Sequence, residues 1–241
     1  MTLPAAPDPL AHAQPAGADA GPAATTEDAP EAPAGSALAV LGMLAYGQLA
    51  AFSRLAADAA QAPELAQRLE LSRQAGVALQ RLERVRARVE ELGAELEPVM
   101  EPFAGALVEF DERTSPGSWW ERLLKGYVGY GVADDFSRIV AARLDPASRD
   151  LVVDALTDAG HAELVVDALA GGATQDPTLA SRLALWGRRL VGEALGVVQR
   201  VLADHPEIRA LVEDAPDGQQ RLFAALTAEH SRRMERLGLT P

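Results

Sequence analysis

The chain has no cysteine among its 241 residues. That absence excludes disulfides, thiolate metal sites and cysteine nucleophiles together, so any metal would have to be held by carboxylate and imidazole. Imidazole is scarce as well, with four histidines: His12, His161, His205 and His230. Lysine occurs once, as Lys125, and arginine supplies the other basic residues. With so much alanine, this reflects genome composition rather than function. A net charge of -13 and a pI near 4.7 argue against a general nucleic-acid binder, which carries a basic balance. No run of roughly eighteen uninterrupted apolar residues occurs, and the first residues show no basic segment followed by an apolar one. A cytoplasmic protein with no membrane partner is therefore expected. No window alternates as a strand between turn residues, and no phosphate-binding glycine loop or serine-nucleophile motif is present.

What is present is helical periodicity. Residues 1–35 are mostly Ala, Pro, Gly, Asp and Glu, too poor in large apolar side chains to offset the entropy of ordering. They are expected to be a disordered tail ahead of one helical domain, residues 36–241. Leu38, Leu41, Ala45, Gln48, Phe52 and Leu55 then fall on one stripe of a first helix. Leu71, Ala75, Ala78, Leu82, Val85, Val89 and Leu92 form the stripe of a second, which Gly93 should end. Three prolines and a short amphipathic piece (Val99, Phe103, Leu107, Phe110) between positions 97 and 117 read as a crossover.

Ser118-Trp119-Trp120-Glu121 is a capping box that opens a third helix, with Leu124, Val128, Val132, Asp135 and Ile139 inward. Asp145-Pro146 starts a fourth, expected to run to Gly171-Gly172 with Leu151, Ala155, Asp158, Ala162, Val165 and Leu169 on its stripe. Asp176-Pro177 starts a fifth, with Leu185, Trp186, Leu190, Glu193, Val197 and Val201 inward, and two further helical pieces follow Pro206. Two helices, a long crossover and two more helices is the connectivity of a ferritin-like four-helix bundle, here with additional C-terminal helices. The predicted class is all-α.

On a helix, residues three apart share a face, so Asp158 and His161 can point at one spot, and Asp135 on the neighbouring helix can join them. Those three are half of a dinuclear carboxylate site. The positions for the other half hold Gln48, Ala78 and Arg81, which offer one neutral oxygen, nothing, and a fixed positive charge. Two readings follow: one weakly held iron at Asp135, Asp158 and His161, or no metal, with Arg81 paired to Asp135 or Asp158 in a buried salt bridge.

The order Tyr46-Gly47-x-Leu49, Trp120-x-x-x-Leu124, Tyr127-Val128-Gly129, Asp135-Phe136, Asp158-x-Gly160-His161-Ala162-Glu163 carries a further likeness. So does the run Leu185-Trp186-Gly187-Arg188-Arg189-Leu190-Val191-Gly192-Glu193-Ala194-Leu195. Together with His230-x-Arg232-Arg233-Met234, it resembles a bacterial ferritin-like group related to the hydroxylase of methylthio-isopentenyl-adenosine beside the tRNA anticodon. That resemblance implies a glutamate where Gln48 stands, and a glutamate and a histidine at Ala78 and Arg81. It also implies a degenerate di-iron site, and tRNA as a partner enters through it alone.

The expectation is a helical protein without oxygen chemistry. Its alternatives are a non-haem iron monooxygenase acting on a modified tRNA adenosine, and a helical protein-interaction module. A homo-oligomer stays open.

Among the remaining residues, Arg189 and Glu193 lie four apart and can pair as structure, with Arg188 beside them. Arg81, Arg84, Arg86 and Arg88, and again Arg232, Arg233 and Arg236, are expected to be solvated faces interspersed with glutamates, with tRNA phosphates as the competing use. His205 is expected to complement a helix dipole.

Overall fold

In the computed structural model, the described residues are 34–157, 161–213 and 217–241. The expected tail, residues 1–35, lies outside them except for its last two positions. Those two open the first helix.

The described chain is helical throughout, with no strand. Helices α1 (Ala34–Gln61) and α2 (Leu65–Glu91) form an antiparallel hairpin along most of their length. The end of α2 follows from local chemistry: Gly93 takes φ +79, Gly93 N–H donates to Glu90 O at 2.9 Å and Ala94 N–H to Val89 O at 3.1 Å. A residue with a Cβ is strained in that left-handed conformation, so the glycine supplies the stop. By length and composition α1 could span a membrane, with a mean hydropathy of 1.5 over its most apolar window. Here its apolar stripe packs into the bundle, and it carries Gln48, Arg54 and Asp58.

The crossover contains α3 (Leu96–Met100), a short 3₁₀ turn and α4 (Val108–Arg113), and it buries Phe103 and Phe110 as its pattern predicted. Next come α5 (Trp119–Leu124) and α6 (Tyr130–Ala141), joined by one π turn, Lys125–Gly129. Ser118 Oγ accepts from Glu121 N–H at 3.2 Å, and the Glu121 carboxylate accepts from Gly117 N–H at 2.7 Å. The capping box therefore forms one residue wider than its usual reciprocal geometry. The π turn was not anticipated; such a turn adds one residue, and one with it a shift in facing. It buries Lys125, Gly126, Val128 and Gly129 together.

The expected fourth helix is two helices. The first, α7 (Pro146–Ala155), starts as predicted, with Asp145 accepting from Ser148 N–H at 2.9 Å, and α8 (His161–Gln175) begins afresh. Ala155 and Ala162 are both buried and seven residues apart, which is about two helical turns, so the apolar stripe reads straight across the interruption.

Helix α9 (Pro177–Asp204) follows its Asp-Pro signal, then α10 (Pro206–Glu213) and α11 (Gly218–Arg236). The inward line of α9 is Leu183, Gly187, Leu190, Ala194, Val197 and Val201, so Leu185 is exposed rather than inward. Trp186 is half-buried and its indole N–H donates to Glu121 O at 3.3 Å.

One core joins these helices through Leu41, Val85, Leu124, Val132, Leu190 and Leu226. Each such side chain contributes about 1.5–3 kcal/mol of burial. A smaller cluster of Leu55, Ala59, Ala62, Leu71 and Ala75 closes the far end of the α1–α2 hairpin.

Candidate functional site

Asp135 sits about one and a half turns into α6, buried in the bundle at 8% exposure. Its Oδ1 accepts from Arg233 Nη2 at 2.7 Å and from Arg138 Nη1 at 3.2 Å. Arg138 is three residues on along the same face, whereas Arg233 reaches in from α11. Gly131 makes that reach feasible: a Cβ there would fall 2.8 Å from Arg233 Cζ and Nε, so the guanidinium lies directly against the α6 backbone. Burial pushes the Asp135 carboxyl above its ordinary range, and the two guanidiniums pull it back. The C-terminal arginines are thus not all solvated, and the deepest of them is an anchor.

Beside this pair lies a cavity of about 480 Å³, within the roughly 300–1,000 Å³ of small-molecule sites. Its apolar wall includes Leu44, Phe103, Phe110, Val197 and Val201. Arg54, Arg81, Arg138, Arg232, Arg233 and Arg236 also line it, against the acids Asp134 and Glu229. Burial pushes the Asp134 carboxyl up, opposed by Arg138, Arg233 and Arg54. Gln48, 5% exposed, lines the same space with an amide whose Oε1 has no donor among the described residues, and Ala78 is part of the wall.

At one edge, Tyr130, with Tyr46 and Arg54, lines both this cavity and a second recess. Its hydroxyl donates to Asp111, to which Lys125 Nζ also comes within 2.7 Å, and Arg54 lies 4.4 Å over its ring. Burial and that hydrogen bond both push the phenol upward, so Tyr130 stays neutral.

The expected ligand positions divide unevenly. Asp158 lies outside the described residues. His161 is the first residue of α8. Arg81 donates to the Thr157 carbonyl and Arg138 to the Leu156 carbonyl. These are oxygens that the end of α7 leaves without helical partners. Arg81 is therefore a fastener of α7, and the guanidiniums holding Asp135 are Arg233 and Arg138.

The α2 arginines are also ties: Arg84 pairs with Asp154, and Arg88 bonds Asp145 at 2.9 Å and Ser148 at 3.1 Å. Arg189 and Glu193 converge on Arg113 of α4, the first through its carbonyl and the second at 3.5 Å from its guanidinium. Arg188 reaches the carbonyls of Thr240 and Pro241 at 3.3 and 3.1 Å. His205 stacks on Phe103 at 4.2 Å.

Sequence reasoning named His230 only within the family-like C-terminal run and gave it no role. It is 2% exposed, and neither ring nitrogen has a partner among the described residues. Burial, helped by the Arg233 charge, pushes its imidazole down to about 4.

A family model for the ferritin-like domain of actinomycetes matches residues 35–215. The chain belongs to that family. No curated protein matches it. The match covers the α1–α2 hairpin, the crossover and the helices through α10, so this ferritin-like domain includes every wall of the cavity except the α11 arginines and Glu229.

The described residues of this ferritin-like domain do not by themselves supply the ligands of an iron pair. Divalent ions want several anionic oxygens. Among the described residues, no three acidic or imidazole groups converge. Asp135 Oδ1 is committed to two cations, and the facing positions present Gln48 and Ala78.

Proposed function

We propose that this ferritin-like protein is a relative of the tRNA methylthio-isopentenyl-adenosine hydroxylases in which the di-iron ligand set has been replaced, and that it works in the cytoplasm as a binding protein through its central cavity. The bond from Arg233 to Asp135 carries the reading. Turning Asp135 toward a metal would strand a half-buried guanidinium, and breaking a buried pair costs about 3–5 kcal/mol. The likeness at Asp135-Phe136 and in the Trp186-Gly187-Arg188-Arg189 run supports the relationship, and Gln48 and Ala78 on the cavity wall support the replacement.

Metal analysis of protein purified from iron-replete cells tests it. Well under one iron per chain is expected, and close to two would overturn the reading. Deleting the gene should leave the hydroxylated nucleosides of tRNA unchanged; their loss would restore the hydroxylase.

A further inference from the structure

The cavity described above is chemically two-sided. Along the helix that forms its floor, Gly129 stands against Phe110, whereas Arg138 bonds Asp135 nine residues later. That is roughly 13 Å at the helical rise. Leu44, Phe103 and Val201 extend the apolar part.

The lining holds six arginines against two acids, in a chain whose net charge is -13. Basic residues are thus gathered where the rest of the molecule is acidic. Two of these guanidiniums keep buried N–H groups without an acceptor among the described residues: Arg54 Nε on α1 and Arg233 Nη1 on α11. A buried donor left unpaired is unfavourable, the more so when charged, so each of them calls for an acceptor. Gln48 Oε1, also unpaired and facing the cavity, calls for a donor.

We propose that the cavity binds an amphipathic organic acid, with its carboxylate among the arginines of α1, α6 and α11 and its apolar chain against Phe103, Phe110 and Val201. A guanidinium offers a planar pair of donors that matches a carboxylate, and the apolar wall has no use for a ligand that is charged throughout. The proposal rests on reading the cavity as a binding site, and it names what the site takes.

The test is calorimetric titration of the full chain with dodecanoate, dodecanol, acetate and inorganic phosphate, with iron measured on the same sample. Dodecanoate is expected to bind at least roughly tenfold tighter than dodecanol, the worth of one charge-assisted contact, and acetate and phosphate to give no saturable heat. Arg236→Gln and Arg232→Gln, both at exposed positions, are expected to weaken dodecanoate several-fold with an unchanged melting temperature. Ala194→Phe should fill the apolar part and abolish binding.

Equal affinity for acid and alcohol would overturn the proposal, as would saturation by phosphate alone, full affinity in a folded Ala194→Phe protein, or no binding of dodecanoate. Failure of dodecanoate in iron-free protein would leave the loss of the di-iron centre standing. Binding to protein carrying two irons would overturn only that earlier reading.

Discussion

Gly131 and Arg233 fit as a missing side chain fits the group that fills its place: the guanidinium rests where a Cβ would come within 2.8 Å, and from there it bonds Asp135 at 2.7 Å. Gly131→Ala adds one methyl at the tightest point of that contact. Overpacking of this kind costs about 1–3 kcal/mol, and it should appear as a lower denaturation midpoint with an unchanged slope against denaturant.

Asp135 and Arg233 should behave as a coupled pair. Asp135→Asn is expected to cost about 3–5 kcal/mol, because it strands the Arg233 guanidinium, and Arg233→Gln less, because Arg138 still holds the carboxylate. The double variant should cost less than the sum. Arg138 stays beside residue 135 in all four proteins, so a coupling energy of at least about 0.5–3 kcal/mol isolates the Arg233 contact. Additive losses would show that Arg138 alone neutralises the carboxylate.

His230 should make stability depend on pH. Its imidazole is near 6.5 when unfolded and about 4 when folded, so the unfolded chain binds the extra proton first. The contribution is fully present above pH 6.5 and is lost as the pH falls toward 4, by roughly 3 kcal/mol if the whole shift is realised. His230→Leu should flatten that part of the curve, as read by melting temperature across the same window.

Asp134 works with the opposite sign. Its carboxyl is raised in the fold, so folding favours its neutral form, and stability declines as the pH rises above the ordinary carboxyl value of 3.8. Asp134→Asn should remove that decline.

Local signals were legible in the sequence because their chemistry is local. Asp145, Asp176 and Ser118 each accept backbone N–H groups within three residues, and Gly93 supplies its left-handed turn. The break between α7 and α8 was hidden because the apolar stripe stays in phase across it. The role of Arg233 was hidden for another reason: it sits between Arg232 and Glu235 in what looks like a solvated run, and its partner lies 98 residues earlier. Only the docking of α11 on α6 brings them together. His230 stands in line with Leu222, Leu226 and Met234 at four-residue spacing, so its burial follows the helical period; what the sequence does not show is that its ring nitrogens find no partner among the described residues.

The two carbonyls at the end of α7 carry a consequence for how this protein can change. Arg81 holds one and Arg138 the other, while both guanidiniums also line the cavity. Replacing Arg81 by a shorter side chain would therefore act in two places at once: it would unfasten Thr157 and remove a cation from the cavity wall. At this position the charge of the cavity and the anchoring of the end of α7 cannot be changed independently.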